Sequence, residues 1–140
     1  MDFDGVVSKE GVGAGVWVHN HKARYSETHS YKLNFQCTNN IAEYEALMLG
    51  LKLLKKLGAK RIMVRGDSEL IIKQIKGEYA TKHPSRAYRK FVLYFLECFT
   101  EIDLHVIPRG QNILAYGLAT LKTTCEIPFH PNHQYTVEVK

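Results

Sequence analysis

Asp4, Glu43 and Asp67 are acids whose positions allow them to meet at one point of a fold. Glu43 precedes Leu47 by one helical turn and so shares the face of Leu47, Gly50, Leu51 and Leu54. On that face it points toward a sheet, where an unpaired carboxylate costs several kcal/mol unless it gains a proton or a cation. Its neighbour Glu45 falls on the side of Lys52 and Lys56 and reads as a solvated charge. Asp4 follows the first strand-like segment and Asp67 the fourth, so pairing of those strands would bring both acids together. Three converging carboxylates repel one another and suit a hard divalent cation, with magnesium the natural candidate. Each acid also has a plainer reading: Asp4-Gly5 as a hairpin turn, Asp67 as a helix cap, Glu43 as a long stem reaching water. Spacing leaves these alternatives open.

The elements that must position these acids are legible from periodicity. Residues 11–18 and 23–35 read as strands, with turns at Asp4-Gly5 and at residues 19–22. After Thr38-Asn39-Asn40 the period changes, and Leu47, Gly50, Leu51, Leu54 and Leu57 predict a long helix that stops at Gly58. A strand over 60–65 leads through Asp67-Ser68 into a helix ending at Gly77. Helix 85–99, strand 102–108 and a last helix opened by Asn112 and running to 122 complete a first unit, 1–122. Residues 123–140 form a tail, with residues 135–139 able to pair as an edge strand. No internal repeat is present. The order of elements predicts an α/β domain with a mixed sheet flanked by helices.

Composition narrows the class of protein. A chain of 140 residues, 45% hydrophobic and 24% charged, fits one globular domain and excludes disordered or collagen-like chains. Cys37, Cys98 and Cys125 suggest no disulfide framework, which favours a reducing compartment, cytoplasmic or nuclear. No membrane-length apolar run and no signal peptide stand in the sequence, so neither membrane insertion nor secretion is expected. The formal charge of +5 favours an anionic partner. Its excess gathers between Lys60 and Lys90, and Lys73 to Lys90, interleaved with Tyr79, Tyr88 and Phe91, reads either as a handle along phosphates or as a solvated helix face with its aromatics inward. Gly11-x-Gly13-x-Gly15 lies within a strand and is no phosphate loop, and Cys125, His130 and His133 lack a fourth zinc ligand.

Phe3-Asp4-Gly5, Thr38-Asn39-Asn40-Ile41-Ala42-Glu43-Tyr44-Glu45-Ala46-Leu47 and Gly66-Asp67-Ser68-Glu69-Leu70 together resemble the type I ribonuclease H family. The wording is most similar to RNase H domains of plant gypsy-type LTR retrotransposon polyproteins, as are Lys82-His83-Pro84, Ile107-Pro108-Arg109 and residues 112–121. The resemblance implies a five-stranded mixed sheet of order 3-2-1-4-5 and hydrolysis of RNA within a duplex. By motif position Asp4, Glu43 and Asp67 would be the catalytic, metal-binding acids. They would hold two Mg2+ or Mn2+ ions roughly 3.5–4 Å apart for in-line attack on the phosphodiester. Asn39 and Asn40 would read the minor groove and Thr38 would contact a phosphate, with one of the asparagines also capping the helix; Ser68 and Gln74 are further substrate-binding candidates.

The sequence departs from the family where a fourth acid is usual. Asn112-Ile-Leu-Ala-Tyr116-Gly-Leu-Ala119 carries Tyr116 there, a phenol that stays neutral and binds magnesium poorly. Asp103 is a conceivable substitute, and His105, inside a strand, reads as a structural residue, so the family's mobile histidine has no clear counterpart. Gln36 replaces an arginine that grips the DNA strand in cellular members, so double-stranded RNA joins the RNA/DNA hybrid as an expected substrate. The short segment before Asp4 predicts a first strand that is clipped or supported from elsewhere in the fold. Two classes of function follow: a metal-dependent endoribonuclease, weakened by Tyr116, or a catalytically inactive duplex-binding module or protein scaffold. A chain that begins with Met1 is expected to be a retroelement domain adopted by its host, acting on foreign or viral RNA.

Overall fold

The computed structural model describes residues 1–20 and 22–124. Strands β1 (Asp2–Ser8), β2 (Gly11–Asn20) and β3 (Tyr25–Leu33) form an antiparallel meander, followed by helix α1 (Asn39–Lys56). Strand β4 (Arg61–Gly66), helices α2 (Glu69–Lys76) and α3 (Ser85–Leu96), strand β5 (Glu101–Val106), a 3-10 turn (Arg109–Gln111) and helix α4 (Ile113–Thr124) complete the fold. The sheet order is β3-β2-β1-β4-β5, with β4 parallel to both β1 and β5. This is the expected mixed sheet of order 3-2-1-4-5. The expected edge strand at residues 135–139 and Cys125 lie outside the described residues.

The first strand differs from expectation. Asp4-Gly5 makes no turn: β1 runs on through both, pairing Asp4 with Gly15 and Gly5 with Ala14, and the chain reverses at Lys9-Glu10. The short segment before Asp4 is supported from β4: Met1 packs into the core and its carbonyl accepts the Arg65 N–H at 2.8 Å. An extended Asp-Gly pair is stable here because the missing side chain of Gly5 is what α1 requires. A Cβ there would lie 2.2 Å from the Ala42 carbonyl carbon, so only glycine lets α1 approach the strand this closely. Gly15 does the same on the opposite face, where a Cβ would sit 2.1 Å from the Ala115 oxygen of α4. The sheet is thus clasped between α1 and α4 at two glycines.

The principal core lies on the α1 side. Phe3, Val16, Tyr44, Leu47, Leu51, Val64, Ile71 and Val92 are essentially inaccessible there. Thr38 and Ser68 cap α1 and α2, each hydroxyl accepting a backbone N–H at 3.3 Å, from Ile41 and Ile71 respectively. The α1 cap is therefore Thr38 rather than Asn39 or Asn40, and the α2 cap is Ser68 rather than Asp67. Both corrections have one physical effect: the caps satisfy the helix ends and leave the neighbouring Asn and Asp side chains unspent. Glu45 is half-buried and accepts the Tyr88 hydroxyl at 2.7 Å, so it is not the solvated charge its spacing suggested. Along the basic stretch only Tyr88 tucks inward, whereas Phe91 on α3 is 57% exposed and Tyr79 43%.

Candidate metal centre and nucleic-acid cleft

Asp4 projects from the middle of β1. The register Asp2 to Arg65 between β1 and β4 places Asp67, the residue just past the end of β4, level with Asp4. Arg65 fixes that register through a paired contact with the Asp2 carboxylate, Nε and Nη2 each donating at 2.9 Å. Glu43 arrives from the second turn of α1, across the close approach that Gly5 permits. Carboxylate oxygens of Asp4, Glu43 and Asp67 all lie within 4.8 Å of one another. Asp103, exposed on β5, stands outside this group, and His105 on the same strand is exposed and paired opposite Arg65.

The group is electrostatically uneasy. Burial pushes the Glu43 carboxyl well above the ordinary range, and the adjoining Asp4 and Asp67 charges push the same way. Asp4 is raised too, first by burial, with the Asp67 charge adding and the Arg109 charge opposing. One oxygen of each, Asp4 Oδ2 and Glu43 Oε2, is buried without a hydrogen-bond partner. Buried acceptors are normally paired, and two orphaned carboxylate oxygens facing a third acid are the donor set of a hard divalent cation. The residues present therefore fit magnesium or manganese.

Around the acids lies a cleft of about 360 Å³ lined by Asn39, Asn40, Ser68, Arg109 and Tyr116 as well as Asp4, Glu43 and Asp67. A hollow of about 300 Å³ at the far edge, around Lys32 to Gln36, brings no carboxylate cluster together. Of the other residues read from sequence, Thr38 is an exposed cap next to the cleft lining, and Gln74 is buried with both ends of its amide engaged. The Gln74 oxygen accepts the Tyr44 hydroxyl at 2.8 Å and its nitrogen donates to the Ala80 carbonyl at 3.3 Å. Gln74 braces α1 against the end of α2 and does not line the cleft. Tyr116 does line it, 38% exposed on α4.

Two residues of the site escaped the sequence reading. Asn112 is 1% exposed and donates from Nδ2 to the Phe3 carbonyl at 3.0 Å and to Asp67 Oδ2 at 3.4 Å, tying the start of α4 to β1 and to the cluster. Arg109 holds its Nε 3.7 Å from the same Asp67 oxygen and lays its guanidinium 5.5 Å from the centre of the Tyr116 ring. Both stand in stretches whose resemblance to the family was visible, but a polar residue before a helix gives no sign of which strand it will reach.

A five-stranded sheet of this order with an acidic cluster at the β1–β4 junction is the architecture of an RNase H-like nuclease fold. Residues 2–122 match the family model described as reverse transcriptase-like, and the chain belongs to that family. A bifunctional protein of Mycobacterium tuberculosis is 36% identical over 110 residues, covering 78% of this chain and 30% of that protein. The chain thus spans less than a third of that relative's length. Among solved structures, RNase H1 from Halobacterium salinarum superposes with a TM-score of 0.76 at 28% identity, covering 86% of this chain and 93% of that one. An RNase H1 designated LC11, solved in complex with an RNA/DNA hybrid, gives 0.71 at 27% identity, with 85% and 91% covered.

Proposed function

We propose that this chain is a divalent-metal-dependent endoribonuclease that cleaves RNA held in a duplex. The observation that carries the reading is the meeting of Asp4, Glu43 and Asp67 with two buried, unpartnered carboxylate oxygens beside an open cleft. The three acids would hold magnesium or manganese, which supplies an activated water and positive charge for the departing 3′ oxygen when bound. The protein's own part is to hold those carboxylates rigidly between β1, α1 and the β4–α2 junction. Asn39 and Asn40, freed from capping by Thr38, offer amides to ribose hydroxyls and base edges of a minor groove, and Ser68 borders the same surface. Thr38 keeps its phosphate role in this reading, whereas Gln74 supports it from inside the fold.

The LC11 relative's complex supports an RNA/DNA hybrid as one substrate, and Gln36, exposed at the sheet's far edge, keeps double-stranded RNA beside it. The functional unit is residues 1–122, with 123–140 as a tail. The lack of a disulfide framework in the cysteine spacing keeps a reducing compartment, cytoplasmic or nuclear, within the proposal. Among the described residues no helix is long and apolar enough to cross a membrane. Retroelement descent and a host role against foreign RNA belong to the same proposal; transcripts that always carry the chain within a longer polyprotein would end the host-gene part of it.

Tyr116 favours a second reading, an inactive duplex-binding module, because it puts a phenol rather than a carboxylate where the cleft meets α4. The test is incubation of the chain with labelled RNA/DNA hybrid, double-stranded RNA and single-stranded RNA, with Mg2+, Mn2+ or chelator. Cleavage of a duplex that needs metal and drops at least about 100-fold in Asp67→Asn establishes the nuclease. Salt-sensitive binding without cleavage establishes the module, and neither leaves a protein scaffold.

A further inference from the structure

Helix α3 turns an aromatic and cationic face to solvent. Arg86, Lys90 and Tyr94 recur on it every four residues, all exposed, with Phe91 beside them. Phe91 is 57% and Tyr94 63% exposed, on a helix whose other side reaches the core through Val92 and Leu96. From Ser85 to Leu96 the helix carries no acidic residue. At its far end Lys52 and Lys55 of α1 each hold Nζ 5.9 Å from the centre of the Phe95 ring, and Tyr94 stands edge-on to that ring. Exposed rings interleaved with cations suit unpaired bases, which stack on the rings while the charges meet their phosphates. We infer that this face binds a single-stranded stretch of RNA running on from the duplex in the cleft. This rests on the nuclease reading and deepens it.

The face is aligned with the site. Helix α3 lies alongside α1 and runs the same way: the Tyr88 hydroxyl reaches Glu45 near the start of α1, whereas Phe95 meets Lys52 and Lys55 near its end. The face thus begins level with the turn of α1 that carries Glu43 and leads away from the acids for about 10 Å, the rise of seven helical residues. The strand held at the acids in the nuclease reading is the RNA, so that strand is placed to continue onto the face. Duplex alone gains little from the rings, because paired bases keep their surfaces stacked inside the helix. Lys90 beside Phe91 in the middle of the face also disfavours a protein occupant, since lysine is depleted from protein interfaces.

The test measures binding, in chelator, of a labelled RNA/DNA hybrid that is blunt or carries an overhang of about eight nucleotides on its RNA strand, on its DNA strand, or as abasic RNA. The RNA overhang is expected to tighten binding about 10-fold over the blunt hybrid, and the abasic one is not, because stacking needs bases. Phe91→Leu combined with Tyr94→Leu should remove most of that gain, while the melting midpoint, blunt-hybrid affinity and metal-dependent cleavage of blunt hybrid stay as in wild type. Phe91→Trp should keep the gain, and Lys90→Gln should lower the salt slope of the overhanging hybrid by about 0.7, the share of one single-strand phosphate. Equal affinity for blunt and RNA-overhanging hybrids, a gain that survives the double variant or the abasic overhang, or a DNA overhang that does as well would overturn the inference. So would self-association in sedimentation that the double variant abolishes, which would assign the face to a second copy of the chain. The nuclease stands in each of these cases if blunt hybrid is cleaved with metal. Ring-dependent binding of the RNA overhang without cleavage of any hybrid would keep the face and end the nuclease reading, and absence of all binding and cleavage would overturn both.

Discussion

At the scale of single residues, the sheet-facing position of Glu43 was legible from sequence because it follows from helical spacing alone. Glu43 is 7% exposed, as a residue on the Leu47 face must be. Its raised pKa fixes a sign for stability. In the folded, metal-free chain Glu43 holds its proton more tightly than in the unfolded chain, whose value is near 4.5. The stabilisation that the proton brings is complete below that value and is lost as pH rises from there toward the folded value. Glu43→Gln removes the penalty, so in chelator it should be more stable than wild type at pH 8, by roughly 1–3 kcal/mol, with the gap closing near pH 4. Thermal melts across pH would check this, and added Mn2+ should raise the wild-type midpoint more than that of the variant. What could not be read at this scale were partners that depend on distant chain. Asn112 meets Asp67 across 45 residues, and Gln74 meets Tyr44 across 30. No local pattern announces either contact, so Gln74 looked available for substrate and Asn112 looked like a helix start.

At the scale of elements, the helices and the later strands were visible because their apolar periods are long and their stops are marked. The miss was β1, where Asp4-Gly5 carries the residue types of a turn and is in fact extended. Glycine serves two unlike purposes, sharp reversal and close approach, and the sequence does not say which. Here the closeness of α1 decides it, and that closeness also sets how far Glu43 stands from Asp4. Gly5→Ala is therefore expected to cost about 1–3 kcal/mol or more, since its Cβ would meet backbone rather than a yielding side chain. The same variant should bind Mn2+ more weakly than its loss of stability alone explains, because α1 must shift and Glu43 with it. Chemical denaturation and calorimetry on the folded variant would separate the two effects.

At the scale of the whole molecule, α4 closes the fold by packing on β1, β2 and β3, and the family match ends at residue 122. Truncation after Lys122 should accordingly keep the fold and duplex affinity within about threefold of the full chain, checked by melting and by hybrid binding. A larger loss would assign part of the groove to the tail. The sheet order has one more consequence, in the time domain. Asp2 and Arg65 are 63 residues apart in sequence, yet their pairing is what sets Asp4 level with Asp67. The meander of β1 to β3 is local and can assemble early, but it holds a single member of the acidic cluster. As the chain leaves the ribosome, the centre stays incomplete until β4 has emerged and inserted beside β1, and Arg109 and Tyr116 emerge later still. A half-made chain thereby lacks the three-acid cluster, which forms only once β4 lies beside β1 and before β5 completes the sheet.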